Sequence, residues 1–298
     1  MAKFHSPSRK PLTMLTIHAP AKLNLVLEIL GKPDDYHDIS SVVHAISLCD
    51  TLTVERHPQL QLSCDQPGLV TNNLVLKAAS ALQQAAEHRG GASIQLLKRI
   101  PLGAGLGGGS SDAAAVLLAL NELWQLGLSL SELAALASGL GSDVPFFLYK
   151  GTALIEGRGD RVTPLPPPPP AWFVVLPPAF PTPPNKTKRM YEHITPSHFT
   201  EGRFTLAAVS SLVRGQAISA SGIFNTFDKV AFDFFPALKE AAAVLRQAGA
   251  PSVHVAGSGP TLFAMFTDRN TAAQVHDRLR EHGLTPHLIP SLAPSNKD

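Results

Sequence analysis

Pro101-Leu-Gly-Ala-Gly-Leu-Gly-Gly-Gly-Ser-Ser-Asp-Ala-Ala-Ala-Val-Leu-Leu-Ala-Leu-Asn121 is the stretch from which the fold can be read. Five glycines fall between Gly103 and Gly109, two serines and an aspartate follow, and then comes an apolar run without Pro or Gly. In that run Val116, Leu117, Leu120, Leu123 and Trp124 recur at the spacing of one helical face, so a helix is expected. Ser110 or Ser111 is the expected N-cap, with Asp112 in the first turn, where negative charge is favoured. The glycines leave backbone N–H groups uncovered and allow positive φ. Free N–H groups feeding a helix N-terminus make an anion site, and phosphate is the usual anion. Gly103, Gly105 and Gly108 satisfy the G-x-G-x-x-G dinucleotide pattern, but Pro101 interrupts the strand-to-glycine junction. About 20 residues on, Gly127-Leu128-Ser129 stands where an acid should grip a ribose. No G-K-[ST] closes the glycines, so this is not a P-loop. A flexible linker is disfavoured too, because a capped apolar helix lies on one side and the strand-like Ile94-Gln95-Leu96-Leu97 on the other.

The chain has 298 residues, enough for one large domain or two ordinary ones, and its 44% apolar content supplies a core. A net charge of +2 without a basic cluster interleaved with aromatics argues against nucleic-acid binding. Cys49 and Cys64 are too few for a disulfide scaffold and form no C-x-x-C, which fits a reduced, cytoplasmic compartment without a cysteine metal site. No apolar run reaches the roughly 18 residues that span a membrane. The N-terminus is basic and free of acids before Glu28, but a strand near Leu15 leaves little room for a targeting segment. Met14 is a candidate true start, with residues 1–13 as a disordered extension.

Strands are expected over Met14–Pro20, Pro20–Leu30, Ile39–Ser47, Asp50–Glu55 and residues 92–97, and a helix from Thr71 to about His88, capped among Thr71 to Asn73. Lys22 and Asn24 share a strand face opposite Leu23 and Leu25, and that pairing suits a charged, hydrogen-bonding ligand. Ser129-Leu130-Ser131-Glu132 is a capping box opening a helix that ends near Gly139. Asp143 stands between a glycine turn and Pro145-Phe146-Phe147, read as a strand. Pro166 to Pro170 reads as a stiff polyproline spacer between domains. Beyond it come a strand at Ala171–Leu176 and a proline-rich loop from Pro177 to Lys186. Helices follow over 199–220, Phe232–Arg246 and 271–283, with strands at Val253 and Leu262–Phe266 and a disordered tail from Pro290.

The wording of the glycine stretch resembles the ATP loop of the GHMP small-molecule kinases, which include galactokinase, homoserine kinase and the mevalonate kinases. Pro20-Ala21-Lys22-Leu23-Asn24-Leu25, Gly141-Ser142-Asp143-Val144-Pro145-Phe146-Phe147 and Gly257-Ser258-Gly259-Pro260 are similar to that family's other landmarks, in the same order. The resemblance runs from about residue 15 to 290. It implies an α+β, two-lobe GHMP kinase fold. A ribosomal-protein-S5-like N-terminal lobe (1–165) would bind ATP, followed by a ferredoxin-like C-terminal lobe (171–298). The triple glycine with Ser-Ser-Asp-Ala-Ala, and Tyr36-His37, are most similar to the branch that uses ATP and Mg²⁺ to phosphorylate the 2-hydroxyl of 4-diphosphocytidyl-2-C-methyl-D-erythritol. That is a step toward isopentenyl diphosphate by the non-mevalonate route. The alternatives are another GHMP kinase of homoserine or mevalonate type, and a non-catalytic nucleotide-binding relative. A monomer or homodimer is expected.

By the same resemblance Asp143 is the catalytic base and Lys22 its cationic partner. Pro101, Leu102, Gly103, Ala104, Gly105, Leu106, Gly107, Gly108, Gly109, Ser110 and Ser111 form the ATP loop. Ser110 or Ser111 is the expected metal contact, and Asn73, Leu74 and Lys98 lie on the adenosine side. The implied substrate contacts are Asn24, Tyr36 and His37 (the pair reading cytidine), Gly257, and either Thr187 or Thr182. The chain departs from the family pattern at Lys32 (commonly Arg), Asp35 (commonly Gly), Ala256 (commonly Ser) and in the longer proline-rich segment.

Overall fold

The computed structural model describes residues 13–71, 73–149 and 151–292. The expected N-terminal extension lies, apart from Thr13, outside these residues, as does the tail beyond Leu292. The elements run in order: β1 (Met14–Gly31), β2 (Asp38–His57), β3 (Gln61–Cys64), α1 (Leu74–Ala85), β4 (Gly91–Leu97), α2 (Gly108–Leu123), α3 (Leu130–Ser138), α4 (Val144–Tyr149), β5 (Thr152–Gly157), β6 (Arg161–Leu165) and β7 (Trp172–Leu176). Then follow α5 (Lys186–Glu192), α6 (Arg203–Val213), β8 (Phe224–Asn225), α7 (Asp228–Phe234), α8 (Leu238–Gln247), β9 (His254–Val255), β10 (Leu262–Phe266), α9 (Arg269–Glu281) and β11 (His287–Pro290). The α+β expectation holds.

Two sheets form. The first has the order β3-β4-β2-β1-β8. The long β2 bonds β4 along Thr51–His57 and β5 along Ile39–His44, and β6 pairs with β5. The second is β11-β7-β10-β9. Side-chain alternation sorts three cores. On β7, Phe173 and Val175 join Phe263 and Met265 of β10 and Leu23 and Leu25 of β1 between the sheets. The alternate residues, Val174, Leu176, Leu262 and Ala264, pack under α7, α8 and α9. α1 to α4 cover the far face of the first sheet. α2 is buried on almost every side, as expected of an apolar helix at the centre of a layer.

Several expectations are corrected. β1 is one continuous strand. Pro20 falls where the register against β2 slips, so the missing N–H interrupts no regular ladder there. β2 is likewise one strand through the expected break at Leu48. The Pro145-Phe146-Phe147 strand is the helix α4: Pro145 occupies its first turn, where a missing N–H leaves nothing unsatisfied, and Phe146 and Phe147 are buried. The helix expected over Phe232–Arg246 is two, because Pro236 forces Phe235 out of helical geometry (φ −123°, ψ 77°). Neither Ser110 nor Ser111 is the N-cap of α2. Gly107 is, at φ +74°, since the chain enters the helix from a left-handed turn that only Gly adopts easily. Asp112 therefore lies beyond the first turn. The tail is ordered to Leu292: β11 ends at Pro290, and Ser291 bridges to Ile46.

Candidate active site

A cavity of about 620 Å³ opens where the glycine stretch, β1, β2, the turn before α4, the segment leading into α5 and the Gly257 turn meet. Lys22, Asn24, Asp143, Gly103, Gly105, Gly107, Thr182, Thr187 and Gly257 all line it, drawn from 22 to 257 along the chain. Lys22 Nζ donates to Asn24 Oδ1 at 2.8 Å and lies 3.7 Å from the Asp143 carboxylate. Lys22 is buried, whereas the Asp143 side chain is half exposed toward the cavity.

The Asn24 amide is held in one orientation by a relay. The Val26 carbonyl can only accept, so Ser41 Oγ donates to it at 2.6 Å and in turn accepts from Asn24 Nδ2 at 2.8 Å. Asn24 Oδ1 is thereby left facing the ammonium. Ser41 also lines the cavity. No sequence motif pointed to it, because its role depends on the β1–β2 register.

The glycine stretch is stitched on both sides. Lys22 N donates to Leu106 O at 3.0 Å, and Thr261 N to Ala104 O at 3.4 Å. The Ala104 and Leu106 side chains are buried in the inter-sheet core and anchor the loop, while Gly103, Gly105 and Gly107 face the cavity. A Cβ on Gly105 would stand 2.1 Å from the Ala256 carbonyl oxygen. One on Gly107 would meet the Phe147 ring at 2.8 Å and Lys22 Cγ at 3.1 Å. The first helical hydrogen bond of α2 runs from Ser111 N to Gly107 O at 2.9 Å, so the N–H groups of Gly108, Gly109 and Ser110 have no partner within the helix. Their positive end suits a phosphate. Ser111 Oγ is buried without a hydrogen-bond partner. Pro101 and Leu102 line a smaller cavity of about 360 Å³ with Gly103, Thr182 and Pro177.

His37 stacks on Tyr191 of α5, ring centroids 5.0 Å apart, and Tyr191 lines the main cavity. Burial, with the charge of Lys32 adding, lowers the His37 pKa and favours the neutral ring, which has one donor and one acceptor nitrogen. Tyr36 is exposed, with the Arg158 guanidinium 4.6 Å above its ring; Arg158 also pairs with Asp34 at 2.5 Å. Both Tyr36 and His37 line a second cavity of about 380 Å³. Thr187 Oγ1 lies 3.2 Å from Ser258 Oγ, and Thr182 packs on Gly103, so both candidate threonines reach the site.

The three contacts expected on the adenosine side also lie away from the main cavity. Asn73 is the N-cap of α1, its Oδ1 accepting from Val75 N at 2.9 Å and its Nδ2 donating to Leu69 O, with Leu74 opening the helix. Lys98 is buried in an ion cluster with Asp112 (2.7 Å) and Asp50, behind the N-terminus of α2. Burial, against the pull of Lys98, pushes the Asp112 carboxyl up to about 7. Sequence reasoning missed Tyr191, whose place opposite His37 is set by packing across the two sheets, and Lys186, which lines the main cavity.

Among the described residues no group of three or more His, Cys, Asp or Glu could hold a metal, and no helix is long and apolar enough to cross a membrane. Residues 73–151 match the model of the GHMP kinases N terminal domain, and residues 208–284 match that of the GHMP kinases C terminal domain. A 4-diphosphocytidyl-2-C-methyl-D-erythritol kinase of Dehalococcoides mccartyi is 41% identical over 283 residues, 94% of this chain and 99% of its own. A crystal structure of a 4-(cytidine 5'-diphospho)-2C-methyl-D-erythritol kinase matches with a TM-score of 0.79 at 36% identity, covering 94% of this chain and 100% of that one. A homoserine kinase from Cytophaga hutchinsonii matches with a TM-score of 0.69 at 16% identity over 98% of both chains, a likeness of fold alone.

Proposed function

The chain belongs to the GHMP kinases, and from that premise we propose that it transfers the γ-phosphoryl group of ATP to the 2-hydroxyl of 4-diphosphocytidyl-2-C-methyl-D-erythritol. It is an ATP-dependent small-molecule kinase of two-lobe GHMP fold. The observation that carries the choice of acceptor is one cavity holding Lys22, Asp143 and the glycine loop, with the His37–Tyr191 stack at its edge. A neutral imidazole beside an aromatic face supplies the edge hydrogen bonds and stacking by which proteins read a nucleobase. That corner disfavours an acceptor without a base, such as homoserine or mevalonate. The Lys22–Asp143 contact disfavours a non-catalytic relative.

In the reaction so read, Asp143 takes the proton of the acceptor hydroxyl as that oxygen bonds the γ-phosphorus. The bond from phosphorus to the bridging oxygen breaks, and ADP leaves. Lys22 holds the carboxylate and offsets the negative charge, with its own position set by Asn24 and Ser41. The N–H groups of Gly108, Gly109 and Ser110 take phosphate oxygens. Ser110 and the unpartnered Ser111 Oγ are the loop oxygens that would hold a Mg²⁺, whose charge would offset that of the phosphates. The polyproline segment at Pro166–Pro170 is the joint we assign between the lobes 1–165 and 171–298, and the unpaired Cys49 and Cys64 fit the cytoplasm.

The test is ATP turnover with Mg²⁺ and the cytidylylated substrate, beside the same substrate without its cytidyl phosphate. Turnover with the first alone is expected. Equal turnover with both would remove cytidine reading, and no turnover with either, while ATP binds, would remove this acceptor.

A further inference from the structure

Lys186 is 7% exposed and lines the main cavity at the first position of α5, one residue after Asn185, whose left-handed φ of +55° turns the chain into the site. Its Nζ donates to Ser258 Oγ at 2.8 Å and to Gly259 O at 2.5 Å, both neutral acceptors. Among the described residues no carboxylate lies within 4 Å of this ammonium, whereas Lys22 has Asp143 and Lys98 has Asp50 and Asp112. Burying a cation without a counter-ion is expensive, and proteins seldom do it to no purpose. An ammonium carries three donors, and two are used. With Lys188 also on the wall, three lysines face the single cavity carboxylate, Asp143. The wall is therefore built for anionic ligands.

We propose that Lys186 is a phosphate-binding cation of this site, its counter-ion being a phosphate oxygen of a bound reactant. The inference rests on the kinase reading of the cavity. The reactants present two sources of the same chemistry: the terminal phosphoryl group of ATP, and the diphosphate of the cytidylylated acceptor. Ser258 and the Gly259 carbonyl hold the ammonium in place, so it is a fixed positive charge rather than a searching one. This separates Lys186 from Lys188, which is exposed.

The experiment uses the full chain and two substitutions. Lys186→Gln keeps a donor for Ser258 and Gly259 but removes the charge. Lys186→Arg keeps the charge, and it preserves the measurement if Lys186→Gln does not fold. Four probes are titrated at equilibrium: the Mg²⁺ complex of a non-hydrolysable ATP analogue, adenosine, the cytidylylated acceptor, and cytidine. In Lys186→Gln, affinity for one of the two phosphorylated probes is expected to fall about tenfold or more, with adenosine and cytidine unchanged and Lys186→Arg within about threefold of the native chain. Loss confined to the ATP analogue assigns the terminal phosphoryl group; loss confined to the acceptor assigns its diphosphate. Equal loss for phosphorylated and unphosphorylated probes, or no loss for any, overturns the proposal, whatever happens to turnover. A native chain that binds the ATP analogue but not the acceptor would overturn the acceptor reading alone, and the ATP arm would still decide Lys186.

Discussion

Asp143 sits half exposed at the cavity while its partner Lys22 is buried, the arrangement the proposed reaction asks of a base that meets the acceptor and a cation fixed behind it. Asp143→Asn keeps the shape and removes the proton acceptor. Turnover is expected to fall about 10²–10⁴-fold with binding of an ATP analogue retained; near-normal turnover would take Asp143 out of the role. Ser41 acts at one remove. In Ser41→Ala the Asn24 amide is free to turn its NH₂ toward Lys22, and kcat should fall more than KM rises. A titration belongs to Lys186, whose pKa is lowered to about 8 by burial first and by Lys22 second, with Asp143 opposing. The groups facing it are Lys22 on β1, Asp143 before α4, Ser258 and Gly259 in their turn, and Thr187, Lys188 and Tyr191 on its own helix. The ammonium is present below pH 8 and is lost above it, so kcat/KM for the phosphorylated reactant it holds should decline through pH 8. That limb should vanish in Lys186→Arg, whose guanidinium keeps its proton. Folding stability moves oppositely: the buried charge weakens the fold below about pH 8, and this is relieved as pH rises toward the unfolded value of 10.5.

At the scale of the element, α2 and its glycine entry form the proposed phosphate site, and the glycines are unequal. Gly105 has φ +84° and no room for a Cβ against the Ala256 carbonyl; Gly109 is helical with open space around it. Gly105→Ala should destabilise by about 2 kcal/mol or more, while Gly109→Ala should leave stability unchanged or raise it by up to about 1 kcal/mol, both read by urea unfolding. Behind the helix, Lys98 joins Asp50 of β2 to Asp112 of α2. Lys98→Met would leave two buried carboxylates without their cation, a loss of about 3–5 kcal/mol in the same assay. The helix was legible from its apolar run. The cap was not. Ser, Asp and Gly all suit a helix start, and which one serves depends on the angle at which the loop arrives from its ties to Lys22 and Thr261. The Pro-Phe-Phe stretch misread as a strand shows the same limit, since three apolar residues carry no period and Pro145 suits a helix start as well as a strand edge.

Across the whole molecule, the site exists because residues far apart in the chain are brought to one place by two sheets packed face to face. Asn225 is the clearest link. It lies on β8 in the first sheet, and its buried Nδ2 donates to Val255 O and Gly257 O, both at 2.8 Å, fixing the turn that closes the cavity. Asn225→Ala should cost about 2–4 kcal/mol by leaving buried carbonyls unpaired, and it should lower turnover as well, because Gly257 would lose its place beside Lys22. Local sequence was enough for the α+β class, the helix behind the glycine stretch, the pairing of Lys22 with Asn24 on one strand face, and the family. Each of these rests on a short-range rule: side-chain alternation, helical spacing, or the backbone freedom of glycine. The relay through Ser41, the capture of Lys98 by two aspartates, the meeting of His37 with Tyr191 and the inward turn of Lys186 were settled by packing. They depend on strand register and on how the two sheets face each other, and no local spacing encodes contacts that tertiary packing makes between separate elements.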